Sequence, residues 1–224
     1  MSRVAALYCA SLCFADDVGP VDLRLELGEA AVYTAPRSAQ LRLLHGILGL
    51  YPRIGGALEV LGTDPAGLAP ASLRGLRAAC AFAPATGAVI ANLSIRENVA
   101  LPLRYHSLCD DSELDERTET ALALLELSDV ADARPAVLPP ERRRRVGLAR
   151  VFAQRARLNL IQDPYEGLPA GLVDRVHGAL VARVEDGASC LLTTAVSDTG
   201  TMLLGGAWVL NNAWLQGAFT PMHH

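Results

Sequence analysis

The sequence predicts an α/β fold with a mainly parallel sheet, an antiparallel β subdomain near the N-terminus and a helical subdomain in the middle. Three observations carry this. Short apolar segments alternate with helix-length segments, the pattern of a parallel sheet with helical crossovers. The early strand candidates, within residues 1–34 and 57–61, lie too close together for such crossovers and are expected to pair antiparallel. Residues from about 90 to 150 read almost wholly as helix.

Each element follows in order. Residues 4–9 and 21–27 read as strands; in the second, Val21, Leu23, Leu25 and Leu27 alternate with Asp22, Arg24 and Glu26. Gly28 and Glu29 turn the chain into a short apolar strand over 30–34. Ser38 is placed to cap a helix over 39–48 that carries Leu41, Leu44 and Leu48 on one face. Gly55 and Gly56 break the chain before a strand over 57–61. A short helix over 69–77 leads to a strand over 79–83, ended by Pro84. Ser94 is expected to cap a helix over 95–105, shaped by Pro102. Residues 110–127 form an amphipathic helix whose acidic first half suits the positive end of the helix dipole. Pro135, Pro139 and Pro140 mark a loop before an arginine-rich helix over 141–155. A buried strand over 158–161, a helix over 172–184, a strand over 190–194 and a terminal hairpin complete the order. That hairpin joins 207–210 to 214–218 through Asn211 and Asn212.

Composition narrows the function. Hydrophobic residues make up 51% of the 224, yet no apolar run reaches the roughly 18–20 residues a membrane-spanning helix needs. A cytoplasmic protein with a large partner-facing surface is therefore expected. A formal charge of −4 argues against a nucleic-acid partner. The five cysteines (Cys9, Cys13, Cys80, Cys109 and Cys190) are scattered and read as reduced thiols rather than as a metal site or disulfide framework. All 20 basic residues are arginine. Without lysine, no mechanism that requires a lysine ammonium in this chain is open to it.

Several stretches, taken in order, carry a family resemblance. QLRLLHGIL (40–48) is similar to the helix after a phosphate loop, and GGALEVLG (55–62) to the strand that follows. LSIRENVALPLRYH (93–106) resembles the segment after a Q-loop, and RVGLARVFAQ (145–154) the helix after a signature motif. LIQDPYEGL (160–168) resembles a Walker B strand and its turn. Together they make the chain resemble the ATP-binding subunits of ABC transporters, with the ENVALPLR segment most similar to those of lipid transporters of the Mla/MCE kind. The resemblance implies a P-loop NTPase-like ABC ATPase fold. It divides the chain into a core part with the antiparallel β subdomain at 1–88, a helical subdomain at 89–150 and the rest of the core at 151–224.

Set against that family, the sites are degenerate. A phosphate loop uses glycine N–H groups, a lysine and a hydroxyl to hold phosphates and Mg²⁺. The resemblance puts Ala31 at the first glycine, Pro36 at the last, Arg37 at the lysine and Ser38 at the hydroxyl. The interval before Arg37 is also shorter than the family's, so the strand is expected to run almost directly into the helix. Arg37 reads as a surface arginine in a short turn. The Walker B carboxylates align with Gln162, which has no charge for Mg²⁺, and Asp163, a shorter carboxylate that reads either as a residual acid or, by preference, as a cap of the next turn. The signature aligns with Leu138, Pro139, Pro140, Glu141 and Arg142; two donors are lost to proline and a carboxylate faces the phosphate position. The Q-loop glutamine aligns with Ala85, the switch histidine with Ala195 and the D-loop aspartate with Pro169. His177 reads as a surface or packing residue, and Arg142–Arg145 as a solvated or interface face.

These substitutions imply a non-catalytic, pseudo-ATPase subunit that takes neither ATP nor Mg²⁺ as cofactor and holds no metal. The partners implied are an integral membrane permease, on the cytoplasmic face of the inner membrane, and either a second copy or another ABC ATPase subunit. Thr86, Gly87, Ala88, Asn92 and Arg96 are the expected permease contacts. The alternatives are weak ATP binding within a heterodimer beside a competent ATPase, and a stand-alone scaffold.

Overall fold

A computed structural model describes residues 5–14 and 18–195; the expected terminal hairpin, His223 and His224 lie outside these. Among the described residues, β1 (Ala5–Phe14), β2 (Val18–Glu26) and β3 (Ala30–Thr34) precede α1 (Arg37–Ile47) and β4 (Arg53–Val60). Then come α2 (Pro70–Ala78), β5 (Cys80–Ala83), α3 (Ile95–His106), α4 (Asp111–Leu124) and α5 (Pro140–Gln154). The order closes with β6 (Leu158–Gln162), α6 (Ala170–Glu185) and β7 (Ser189–Thr194). No helix among the described residues is long and apolar enough to cross a membrane.

Two sheets result. The antiparallel one runs β2-β1-β4 and the parallel one β3-β7-β6-β5. The alternating β2 pattern buries Val21, Leu23 and Leu25. β3 does not join the antiparallel group as its closeness in sequence suggests. It pairs in parallel with β7, from Ala30 opposite Cys190 to Thr34 opposite Thr194. The reason is its apolar run: Ala31, Val32 and Tyr33 are all buried, which suits a strand covered on both faces. Gly55 and Gly56 do not break the chain either. They lie inside β4, where the register against β1 shifts between Ala10 and Cys13. Gly56 has φ 77°, and a Cβ there would meet the Ser11 carbonyl oxygen at 2.2 Å, so only glycine fits this bulge.

The parallel sheet separates two cores. On one side, Ala31, Tyr33, Leu158, Leu160 and Leu191 pack with α1 and the antiparallel sheet. On the other, Val32, Ala81, Ile161 and Leu192 pack with residues of α3, α4, α5 and α6. Gly46 of α1 lets the Phe14 ring lie against the helix; an added Cβ would fall 2.0 Å from Phe14 Cζ.

Local chemistry sets the helix starts. Ser94 and Glu97 form a reciprocal capping box at α3, and Asp110 accepts from the Glu113 N–H to cap α4. Ser38 is not a cap: α1 begins two residues earlier than expected, at Arg37, with Pro36 at the cap position and no side-chain cap bond. Pro140, expected in a loop, is the first residue of α5, where its fixed φ and missing N–H cost nothing. The five cysteines are free. Burial pushes the thiols of Cys9 and Cys80 up to about 12 and that of Cys190 to about 11, so they stay protonated at neutral pH.

Candidate functional site

The candidate site lies where β3 runs into α1. β3 ends at Thr34 and α1 starts at Arg37, so only Ala35 and Pro36 connect them. The Ala35 N–H is bonded to Thr194 O at 3.1 Å, and Pro36 has none. Neither connecting residue therefore offers a free backbone donor to a phosphate, and the donors left at the junction are the first N–H groups of α1, which has no side-chain cap bond. Pro36, Arg37 and Ser38 are exposed. Ala31, aligned with the first loop glycine, is instead buried within β3.

The side chains around this junction pair in charge, although Asp163 Oδ2 and Glu166 Oε2 lack well-aligned hydrogen bonds. Arg37 forms an ion pair with Glu166 and a second with Asp163 at 3.4 Å. Glu166 also pairs with Arg144 Nη1 at 2.9 Å. Gln162 is buried; its Nε2 donates to Arg37 O at 3.3 Å and its Oε1 accepts from the Ala85 N–H at 3.1 Å. A neutral amide thus bridges two backbone segments at the position aligned with the Mg²⁺-holding carboxylate. Two carboxylates face two guanidiniums, which leaves little net charge for either a divalent cation or a triphosphate.

Asp163 does not cap the following turn. It holds φ 48°, and its Oδ1 accepts from the Ala195 N–H at 3.2 Å, which brings two of the aligned positions together. Burial raises its carboxyl pKa against the opposing pull of the Ala195 N–H and Arg37. Glu166 moves the other way: burial pushes it up, but the bonds and charges of Arg37 and Arg144 outweigh this and hold it low. The charge balance and the neutral Gln162 amide do not fit a bound Mg-nucleotide.

The signature-aligned residues sit at the start of α5. Pro139 is the cap residue, Pro140 follows, and Glu141 is the acidic residue of the first turn. Glu141 lies beside the Walker B turn, where a Cβ added at Gly167 would meet its Cγ at 3.4 Å. The arginines after it are not a solvated face. Arg142 pairs with Asp129, Arg145 with Glu126 at 3.1 Å, and Arg144 Nε donates to Ala85 O at 2.6 Å. Arg142, Arg144 and Arg145 thus reach acceptors within this chain, whereas Arg143 Nε is buried without a hydrogen-bond partner. His177 is half-buried, and its Nδ1 lies 2.9 Å from Tyr165 Oη. Pro169 is the cap residue of α6.

A groove of about 490 Å³ opens between α2, α3 and the loop after β5. Phe82, Ile90, Leu101, Pro102 and Tyr105 supply apolar lining, and Arg77, His106 and Arg150 supply its basic groups. Of the five expected permease contacts only Ala88 lines it. Thr86 and Asn92 are exposed outside it, Gly87 is buried, and Arg96 pairs with Glu119 and Asp132. Arg150 donates to the carbonyls of Gly87, Ala88 and Asn98 and to Asn98 Oδ1. Burial lowers it to about 10, which leaves it charged at neutral pH. Glu166, Arg144, Asn98 and the wholly buried Gln40, which joins Ala35 O to Thr193 Oγ1, escaped the sequence reading. The partners of Glu166 and Arg144 are distant in sequence, whereas Asn98 bonds to Ile90, Leu93 and Ser94 nearby; the placing of Gln40 and Asn98 at apolar helix positions hints at buried roles.

Comparison with known proteins agrees with this architecture. The chain is 32% identical over 177 residues to the lipoprotein-releasing system ATP-binding protein LolD of Ruegeria sp., covering 78% of each. It is 32% identical to the cytochrome c biogenesis ATP-binding export protein CcmA of Bordetella bronchiseptica, over 84% of this chain and 79% of that one. It is 31% identical to the lactose transport ATP-binding protein LacK of Rhizobium radiobacter, of which it spans 41%. No protein-family model matches the chain. Among solved structures, an ATP-binding subunit of an ABC transporter superposes with a TM-score of 0.76 at 19% identity, covering 97% of this chain and 90% of that one. A dimeric bacterial ABC transporter cassette gives 0.74 at 21%, covering 84% and 87%.

Proposed function

Since the chain belongs to the family of ATP-binding subunits of ABC transporters, we propose that it is a member that no longer binds or hydrolyses ATP and serves as a structural or regulatory subunit. The observation that carries this reading is the two-residue connection from Thr34 to Arg37, which has no free backbone donor and whose neighbouring charges are already paired. Gln162 at the metal-binding position, and Pro139, Pro140 and Glu141 at the signature, add support.

The proposed partner is an integral membrane permease, with this chain peripheral on the cytoplasmic face of the membrane. A short amphipathic helix of that permease would fit the apolar groove, with acidic residues toward Arg77 and Arg150. The ENVALPLR segment supports a transporter of the lipid-carrying Mla/MCE kind. Dimerisation with a second ATP-binding subunit is proposed by analogy with the dimeric cassette. A competent partner would keep its own phosphate loop but would meet the proline-bearing start of α5 in place of a signature.

The test is purification of the tagged chain from its native membranes in mild detergent. An integral membrane subunit is expected to co-purify in fixed ratio, and to stay bound when nucleotide is removed with apyrase. Recovery of the chain alone, with no membrane subunit in repeated preparations, contradicts the reading and favours the stand-alone scaffold.

A further inference from the structure

The polar contacts around Ala85 close on themselves. Arg37, the first residue of α1, pairs with Glu166 in the turn after β6. Glu166 pairs with Arg144 of α5, whose Nη1 also donates to Glu166 O at 3.1 Å. Arg144 Nε reaches Ala85 O at 2.6 Å, Gln162 takes the Ala85 N–H, and the other end of Gln162 returns to Arg37 O. Five residues from five parts of the chain thus form one ring. Both backbone groups of Ala85 lie within it.

We propose that this ring is a standing latch, which holds the loop over residues 84–88, and with it one wall of the groove, in a single arrangement without nucleotide. The inference takes the proposed loss of ATP binding as its premise, because three of the five members, Arg37, Gln162 and Ala85, stand at positions aligned with the nucleotide's contacts.

Other contacts make the loop the element the latch controls. Gly87 has φ 77°, and an added Cβ would meet Arg143 O at 2.1 Å. A Cβ on Gly147 would meet Gly87 Cα at 2.9 Å, so the loop lies directly on α5. Arg150 grips the carbonyls of Gly87 and Ala88 from the groove side. Ala88 and Ile90 line that groove. The arms differ in strength. Arg37 is 54% exposed, and an exposed pair contributes little alone. Arg144 is 18% exposed and makes three contacts, so its arm dominates.

Hydrogen exchange of the full chain, without nucleotide, tests this. Wild type, Glu166→Gln, Arg144→Gln and Arg37→Gln are compared at low and high salt. Amides of residues 85–90 are expected to exchange about fivefold faster in the Glu166 and Arg144 variants, with a smaller change for Arg37→Gln. Wild-type exchange there rises with salt as the ion pairs are screened, and that dependence shrinks in Glu166→Gln. Residues 5–14, in the antiparallel sheet, stay unchanged. Unchanged exchange at 85–90 in the variants, or equal acceleration throughout the chain, overturns the latch. If the variants do not fold, the wild-type salt series decides alone: no salt response at 85–90 overturns it. A Mg-ATP titration on the same wild-type sample keeps the two ideas apart. Binding beside a salt-sensitive loop sinks the non-catalytic reading only; no binding beside an insensitive loop sinks the latch only.

Discussion

At Asp163 two physical demands meet. The residue is buried, and its backbone sits at φ 48°, a region that Asn and Asp tolerate better than most residues. Its carboxyl pKa is raised chiefly by burial. A carboxyl whose folded pKa lies above its unfolded one costs stability as pH rises through that interval. Asp163→Asn keeps an oxygen for the Ala195 N–H and removes the buried charge. Its Tm is expected to exceed that of wild type at pH 7, and the gain to vanish below the ordinary value of 3.8. A lower Tm at pH 7 would show that the Arg37 pair outweighs the burial cost. Residue chemistry was legible wherever identity alone decides: a proline lacks an N–H and Gln162 lacks a charge in any fold. It was illegible wherever a partner decides. Nothing local in the sequence says that Arg144 reaches Ala85 or that Asp163 turns toward Ala195, because those partners are 59 and 32 residues away.

The helices obey local rules more closely than the strands do. Ser94 marks the start of α3 correctly, and the structure adds its reciprocal bonds with Glu97. Ser94→Ala is expected to cost about 1 kcal/mol in urea denaturation, while Ser38→Ala, which removes no cap bond, should be close to neutral. Gly147 of α5 provides a sharper test. Alanine in a helix interior ordinarily gains up to about 1 kcal/mol over glycine. Here the Cβ would press on Gly87 Cα at 2.9 Å, and Gly147→Ala should instead lose about 1–3 kcal/mol, read as a lower urea midpoint. Strand partnership was the weaker inference. β3 lies three residues beyond β2 in the chain yet pairs with β7, some 160 residues later, since only the parallel sheet can cover both of its faces. Gly55 and Gly56 have the composition of a break, and become a bulge because β1 runs alongside them.

For the whole molecule, the two-core plan holds α1 in place independently of what the junction binds. Leu43, Leu44 and Ile47 of α1 are wholly buried against the antiparallel sheet and the parallel strands, and none needs a phosphate to hold it there. Shortening the connection to Ala35 and Pro36 leaves that packing intact and removes only the loop. Restoring residue types should therefore not restore a site: Pro36→Gly, Arg37→Lys and Gln162→Asp combined are expected to leave ATP binding undetectable, because Pro36→Gly returns one backbone donor while the two-residue connection stays too short to wrap a phosphate. The family architecture was legible from the order of apolar segments, which reflects this same packing. The central claim is that this junction cannot seat a Mg-nucleotide. Isothermal titration of the purified chain with Mg-ATP tests it most directly. No saturable heat at millimolar nucleotide is the expected result; a saturable isotherm with micromolar affinity, lost on substitution of Arg37 or Ser38, would contradict the account.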